Sequence, residues 1–221
     1  MHYVLSLSGG LDSTVLLAAL LDEHGQGAVT PVFFRYGSKH NEREAVAAAA
    51  VAGHYGLELV TFDLRPVFGQ LSSVLLAHDG RAIPKAAYAE DNMALTVVPG
   101  RNLLFASVLA ALAESRGAGR VALATHAGDH ALYPDCRPAF NDALAVAVRE
   151  SSGGAVGVAT PFGAMAKADI VALGLVLDAP LSLTRSCYES GEKACGQCGT
   201  CVERLEAFAV NGAKDPAAYG A

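Results

Sequence analysis

Residues 3–24 constrain the fold more than any other stretch, because they read as a strand, a glycine turn and a helix in immediate succession. Tyr3-Val4-Leu5 is apolar, Ser8-Gly9-Gly10-Leu11-Asp12-Ser13 carries two adjacent glycines, and Thr14 to Leu21 is helix-forming. Without side chains at Gly9 and Gly10, the backbone can pass close to an anion. The helix points unpaired N–H groups and the positive end of its dipole at the same spot. Ser8, Ser13 and Thr14 add hydroxyl donors, so Leu7 to Thr14 is expected to bind phosphate. The plainer alternative, an ordinary glycine turn, accounts for the glycines but not for the hydroxyls around them.

The loop is too short for the GxxxxGK(S/T) pattern and has no Lys after its second Gly, which argues against a kinase-type or GTPase-type loop. It also lacks the third glycine of a dinucleotide fingerprint. Further apolar runs at 29–34, 57–62, 120–124 and 155–159 alternate with helical patterns at 13–24, 40–54, 102–117, 138–150 and 167–175. That alternation predicts an α/β fold with a parallel sheet covered on both faces, and ligands beyond the carboxyl ends of its strands. Segment 64–99, punctuated by Pro66, Gly69, Gly80, Pro84 and Pro99, reads as an irregular insertion with short helices, part of it mobile and over the site.

Composition excludes several classes. No apolar run approaches a membrane span, and a loop of functional character by residue 8 leaves no room for a signal peptide, so a cytoplasmic protein is expected. Net charge is −6, with the 16 Lys and Arg residues scattered, which speaks against stable nucleic-acid binding. A non-catalytic binding module built on a zinc knuckle is disfavoured by the same charge and by the complete glycine loop.

Four of the five cysteines, Cys187, Cys195, Cys198 and Cys201, lie close together near the C-terminus. In a cytosolic setting such a cluster favours metal over disulfides. Four thiolates close a tetrahedral zinc shell, which makes the site structural; an iron–sulfur cluster and redox CxxC pairs are the alternatives. The fifth, Cys136, reads equally as a buried small residue or a site residue.

Polar clusters follow the strands. Arg101, Arg137 and Lys167 offer cations for anionic oxygens; Asp129 and Asp135 suit Mg²⁺ or a base edge; Asn102 and Tyr133 stand beside them. Singly each reads as a loop residue or helix cap. Together they suit adenylation of a carboxylate, where charge builds on phosphorus and the acyl oxygens as pyrophosphate leaves.

SGGLDS resembles the loop of the PP-loop ATP pyrophosphatases. The wider set is similar to the 7-cyano-7-deazaguanine (preQ0) synthase family, QueC, over nearly the whole chain: Tyr36-Gly37 with His40, Val98-Pro99-Gly100-Arg101-Asn102, Ala127-Gly128-Asp129-His130, Tyr133-Pro134-Asp135-Cys136-Arg137, Lys167-Ala168-Asp169-Ile170 and the cysteine run. The resemblance implies a Rossmann-type PP-loop domain over 1–180 and a zinc-binding lobe over 181–221. It implies that 7-carboxy-7-deazaguanine is adenylated by ATP with Mg²⁺, converted to the amide by ammonia, then activated again and released as the nitrile. Leu7, Ser8, Gly9, Gly10, Leu11, Asp12, Ser13 and Thr14 are then the nucleotide loop. Asp12, Arg101, Asp129, Asp135, Arg137 and Lys167 are the catalytic candidates, the four cysteines hold zinc, and a homodimer is expected. Two departures, Arg185 in place of Trp and Arg35 in place of an acid, leave open transfer of the acyl group to a protein or other amine.

Overall fold

The computed structural model describes residues 1–84 and 94–220. Five strands form one sheet in the order β3-β2-β1-β4-β5, every pairing parallel: β1 (Tyr3–Ser6), β2 (Val29–Arg35), β3 (Val60–Asp63), β4 (Arg120–Ala122) and β5 (Gly157–Ala159). The helices are α1 (Leu11–His24), α2 (Asn41–His54), the single turn α3 (Arg65–Phe68), α4 (Arg101–Ser115), α5 (Pro138–Ser151), α6 (Lys167–Val176) and α7 (Gly199–Val210).

Alternation along β1 shows why both faces are covered. Tyr3 and Leu5 join a core formed with α1, α2, α6 and α7, through Val15, Val51, Ile170 and Phe208 among others. Val4 turns to the other face, where Ala106, Leu109 and Ala113 of α4 and Leu144 and Val148 of α5 pack. The strand order reverses at β1, so the crevice for a ligand opens between the carboxyl ends of β1 and β4.

The expected elements are present with shifts of one to three residues, and α7 is additional. Its buried face includes Cys201 and Arg204 beside Ala207 and Phe208, so its hydrophobic period is masked by polar residues at core positions. In 64–99, residues 64–84 and 94–99 hold only short turns, and Phe68, Leu75, Leu76, Ile83 and Val98 cluster against Tyr36. The remainder of that expected insertion, 85–93, lies outside the described residues.

One apolar stretch bears on the expectation that no segment spans a membrane. The stretch Ala94–Ser115 is long and apolar enough to cross a membrane by length and composition. Its continuous α-helix, however, is only the 15 residues of α4, about 22 Å at 1.5 Å per residue against a hydrocarbon core of about 30 Å. Pro99-Gly100 breaks the stretch, and Ala106, Leu109 and Ala113 are spent on the sheet.

Candidate active site and metal centre

The crevice at the switch point is a cavity of about 210 Å³. Leu7, Ser8, Gly10, Leu11, Asp12 and Ser13 line it, while Gly9 and Thr14 lie behind. Gly9 adopts φ +77°, and a Cβ there would stand 2.4 Å from Ala48 N and 2.8 Å from both Ala47 Cβ and Glu44 O. The small residues of α2 thus let that helix press against the loop, a packing role for its alanine run. No side chain caps α1, which leaves its first amides free for an anion. Within the loop, Gly10 N–H donates to Ser8 Oγ at 3.1 Å and Ser8 N–H to Ser13 Oγ at 3.2 Å.

Asp12 and Lys167, 155 positions apart, meet here. Lys167 Nζ donates to both Asp12 oxygens at 2.7 and 2.9 Å and lies 3.4 Å from Glu203 Oε2 on α7. Burial by itself raises the Asp12 carboxyl, but Lys167 and His126 hold it below its usual range. His126 Nδ1 accepts from Gly128 N–H at 3.1 Å, leaving Nε2 toward Asp129 at 3.4 Å and Asp12 at 4.0 Å. Burial, with Lys167, pushes His126 below its ordinary value, while the Asp12 and Glu203 carboxylates act in the opposite sense. Burial lifts Asp129 to about 6.

Across the cavity, Arg101 at the start of α4 faces a ring of Tyr36, Tyr133, Tyr188 and Cys136, all lining residues. Tyr133 OH lies 3.0 Å from Thr96 Oγ1 and 3.3 Å from Tyr188 OH. Burial, reinforced by Glu44, raises Tyr36 to about 12, and burial with the Arg101 charge drops His40 to about 3. Both are therefore neutral near pH 7.

The catalytic candidates do not all reach this space. Asp12, Arg101, Asp129 and Lys167 line it, with Asn102, Tyr133 and Cys136; Asp135 and Arg137 do not. Asp135 Oδ2 accepts from Asn102 N–H at 2.9 Å and its carbonyl from Asn102 Nδ2 at 3.0 Å, so it anchors the start of α4. Arg137 Nε donates to His130 O at 2.8 Å on the exposed side. Sequence reasoning did not single out His126, Glu44 or Glu203 as site residues. The four-residue spacing of His40 and Glu44 on one helix face is the signal for the second.

The two unexpected arginines have structural partners. Arg35 pairs with Glu42 at 2.6 Å and is not among the lining residues. Arg185 N–H donates to Gly9 O at 2.8 Å, and its guanidinium gathers the carbonyls of Glu189, Gly191 and Glu192 at 2.7–3.0 Å. It ties the cysteine loop to the nucleotide loop.

The sulfurs of Cys187, Cys195, Cys198 and Cys201 all lie within 4.8 Å of one another. Backbone N–H groups of Glu189 and Cys195 point at Cys187 Sγ, and those of Gln197 and Cys198 at Cys195 Sγ, at 3.3–3.4 Å. A tetrahedral ion with bonds of about 2.3 Å sets sulfurs about 3.8 Å apart, so the set fits one metal ion.

Comparison with known proteins agrees with this architecture. The family model described as queuosine biosynthesis protein QueC matches residues 2–212. Proteins named 7-cyano-7-deazaguanine synthase are similar throughout: that of Desulfotalea psychrophila is 45% identical over 93% of this chain and 92% of its own, and that of Archaeoglobus fulgidus 43% over 98% and 89%. Among solved structures, NMN synthetase from Francisella tularensis shares the fold with a TM-score of 0.56 at 16% identity, covering 96% of this chain and 78% of that one. The U34-tRNA thiolase NcsA from Methanococcus maripaludis, with its 4Fe-4S cluster, gives 0.51 at 13%, covering 95% and 64%.

Proposed function

The chain belongs to the QueC family, and from that premise we propose that it converts 7-carboxy-7-deazaguanine and ammonia, with ATP, into 7-cyano-7-deazaguanine. The observation that carries the reading is the opening of the SGGLDS loop and of Arg101 onto one cavity. A triphosphate on the loop and a carboxylate at Arg101 are then held within a single cavity, where orientation and electrostatics do the work.

In the first step a substrate carboxylate oxygen attacks the α-phosphorus and pyrophosphate departs toward the α1 amides, Ser8 and Ser13. Lys167, held by Asp12 and Glu203, supplies positive charge where it develops. Ammonia then displaces AMP to give the amide. A second ATP activates the amide oxygen, and loss of AMP leaves the nitrile. Asp129, one of the carboxylates lining the cavity, would hold Mg²⁺, which would offset negative charge on the pyrophosphate as it leaves. Asp135 and Arg137 enter the proposal as groups that fix α4 and the 130–137 loop behind Arg101.

Zinc is the metal assigned to Cys187, Cys195, Cys198 and Cys201. The closeness of the four sulfurs suits a single ion, whereas a four-iron cluster carries its cysteines on separate irons. Residues 181–221 form the metal lobe on a nucleotide domain of 1–180. A cytoplasmic homodimer completes the proposal. The test is incubation of the zinc-loaded protein with the acid, ATP, Mg²⁺ and ammonium. AMP, pyrophosphate and a product of nitrile mass are expected; ADP and phosphate, or no turnover, refute it.

A further inference from the structure

Glu44 lines the same cavity as Arg101 and has no role in the reaction described above. Its side chain is 15% exposed, and its nearest polar neighbours are distant: His40 Nε2 at 3.6 Å and Asn41 Nδ2 at 3.5 Å. Among the described residues no ion pair joins it to Arg101, although the two interact electrostatically. A carboxylate so placed carries acceptor positions that no side chain fills, on a residue that lines the cavity and is open to a ligand there. Burial raises its pKa to about 7, the mark of a group short of donors. Its backbone carbonyl lies 2.8 Å from where a Gly9 Cβ would stand, which places the residue beside the nucleotide loop.

A cavity with a cation at one point and an under-paired anion at another selects a ligand with the reverse polarity. A 7-carboxylated 7-deazaguanine has it: a carboxylate at one end of the flat bicycle, and at the other the N1–H and 2-amino donors, side by side. Two parallel N–H donors match the two oxygens of a carboxylate. Adenine does not fit this description. It has no anion for Arg101, and the ring nitrogen beside its amino group is an acceptor that a carboxylate repels. Tyr36, Tyr133 and Tyr188 supply aromatic walls for the ring between the two poles.

We propose that Glu44 is the specificity-determining residue of the acid substrate, accepting hydrogen bonds from N1–H and the 2-amino group while Arg101 holds the carboxylate. This rests on the function proposed above. A site built around a hydrogen bond discriminates strongly against a ligand that lacks the donor.

The test uses the full-length, zinc-loaded protein and two acids, 7-carboxy-7-deazaguanine and its 2-deamino counterpart, with binding measured by calorimetry and KM for each acid and for ATP by pyrophosphate release. Glu44→Gln keeps size but presents one acceptor and one repelling NH₂. It is expected to weaken the 2-amino acid by about 10- to 100-fold, the 2-deamino acid far less, and ATP by less than about twofold, so that preference between the acids collapses. Glu44→Asp, which keeps the charge but withdraws it, is expected to lose acid affinity to a smaller degree, and carries the test if Glu44→Gln does not fold. Unchanged preference, or a rise in the KM for ATP instead, overturns the assignment. Failure of the wild-type protein to bind or turn over the acid at all is a different result, and defeats the proposed function itself.

Discussion

Lys167→Met tests the electrostatic centre most directly, because the substitution keeps chain length and deletes only the charge. Lys167 Nζ serves both oxygens of Asp12 at 2.7 and 2.9 Å and stands 3.4 Å from Glu203. Breaking a fully buried pair by removing one partner costs about 3–5 kcal/mol. The lysine side chain is 14% exposed and that of Asp12 25%, so partial solvation lowers the expected cost to about 2–3 kcal/mol at pH 7.5. The pH dependence follows from the depressed Asp12 pKa. A carboxyl depressed in the folded state contributes stability above its unfolded value of 3.8, and that contribution disappears as pH falls through the folded value. In the variant the lowering supplied by Lys167 is gone while burial still raises the carboxyl, so Asp12 takes up its proton at a higher pH than in the wild-type protein. The gap between the two proteins is therefore widest near pH 7.5, narrows once the variant's Asp12 takes up its proton, and closes below 3.8. Urea unfolding at pH 7.5 and 4.5 reads it, provided the slopes against denaturant agree. AMP formation should fall by about 10²- to 10³-fold, the scale of losing one charge-stabilising group. A gap of equal size at both pH values, or none at 7.5, refutes the reasoning.

Three further outcomes follow. Cys198→Ser, or a strong chelator, should release the metal and lower the melting temperature, because a structural site contributes folding energy; one zinc per wild-type chain by elemental analysis and an unaltered melting temperature after its removal would contradict this. Gly9→Ala should destabilise by at least about 2 kcal/mol in denaturant melts, since left-handed backbone costs a non-glycine residue about 1–2 kcal/mol and the new Cβ meets the backbone of α2. Asp135→Ala should cost about 1 kcal/mol through loss of the anchor at the start of α4 and raise the KM for the acid by shifting Arg101. Asp135→Asn, which keeps an accepting oxygen, should restore most of both.

The sheet and its helices were legible because each carries a clean period. Val32-Phe33-Phe34 is apolar without interruption, as a strand buried on both faces requires, and the glycine loop marks the junction of β1 and α1 by its own chemistry. Helix α7 broke that rule. Arg204 occupies a core position because Asp215, Thr184 and Leu181 O satisfy its guanidinium at 2.7–3.1 Å, and none of those partners is near it in sequence. The same limit separated Asp135 from Asp129. Both follow β4 on one loop, but only the first lies against Asn102, 33 positions earlier. Local pattern names the groups a site can draw on; long-range pairing decides which of them remain free to face a ligand.

That division explains how an acidic chain holds polyanions. With a net charge of −6, the protein as a whole repels ATP and a carboxylate. The cavity inverts this sign locally. Residues from the N-terminal ends of α1, α4, α6 and α7 line it: Leu11 and Asp12, Arg101 and Asn102, Lys167, and Thr200 with Glu203 one turn in. The uncapped start of α1 turns its positive dipole end to this space, joined by the charges of Arg101 and Lys167. Of the acids within it, Asp12 and Glu203 stand against Lys167, and burial raises Glu203, Asp129 and Glu44. Raising a carboxyl pKa lessens the negative charge of the site, and a donor or cation that arrives there lowers the pKa again. Net charge thus does not fix the sign of the cavity, which depends on which charged groups and helix ends the fold gathers there.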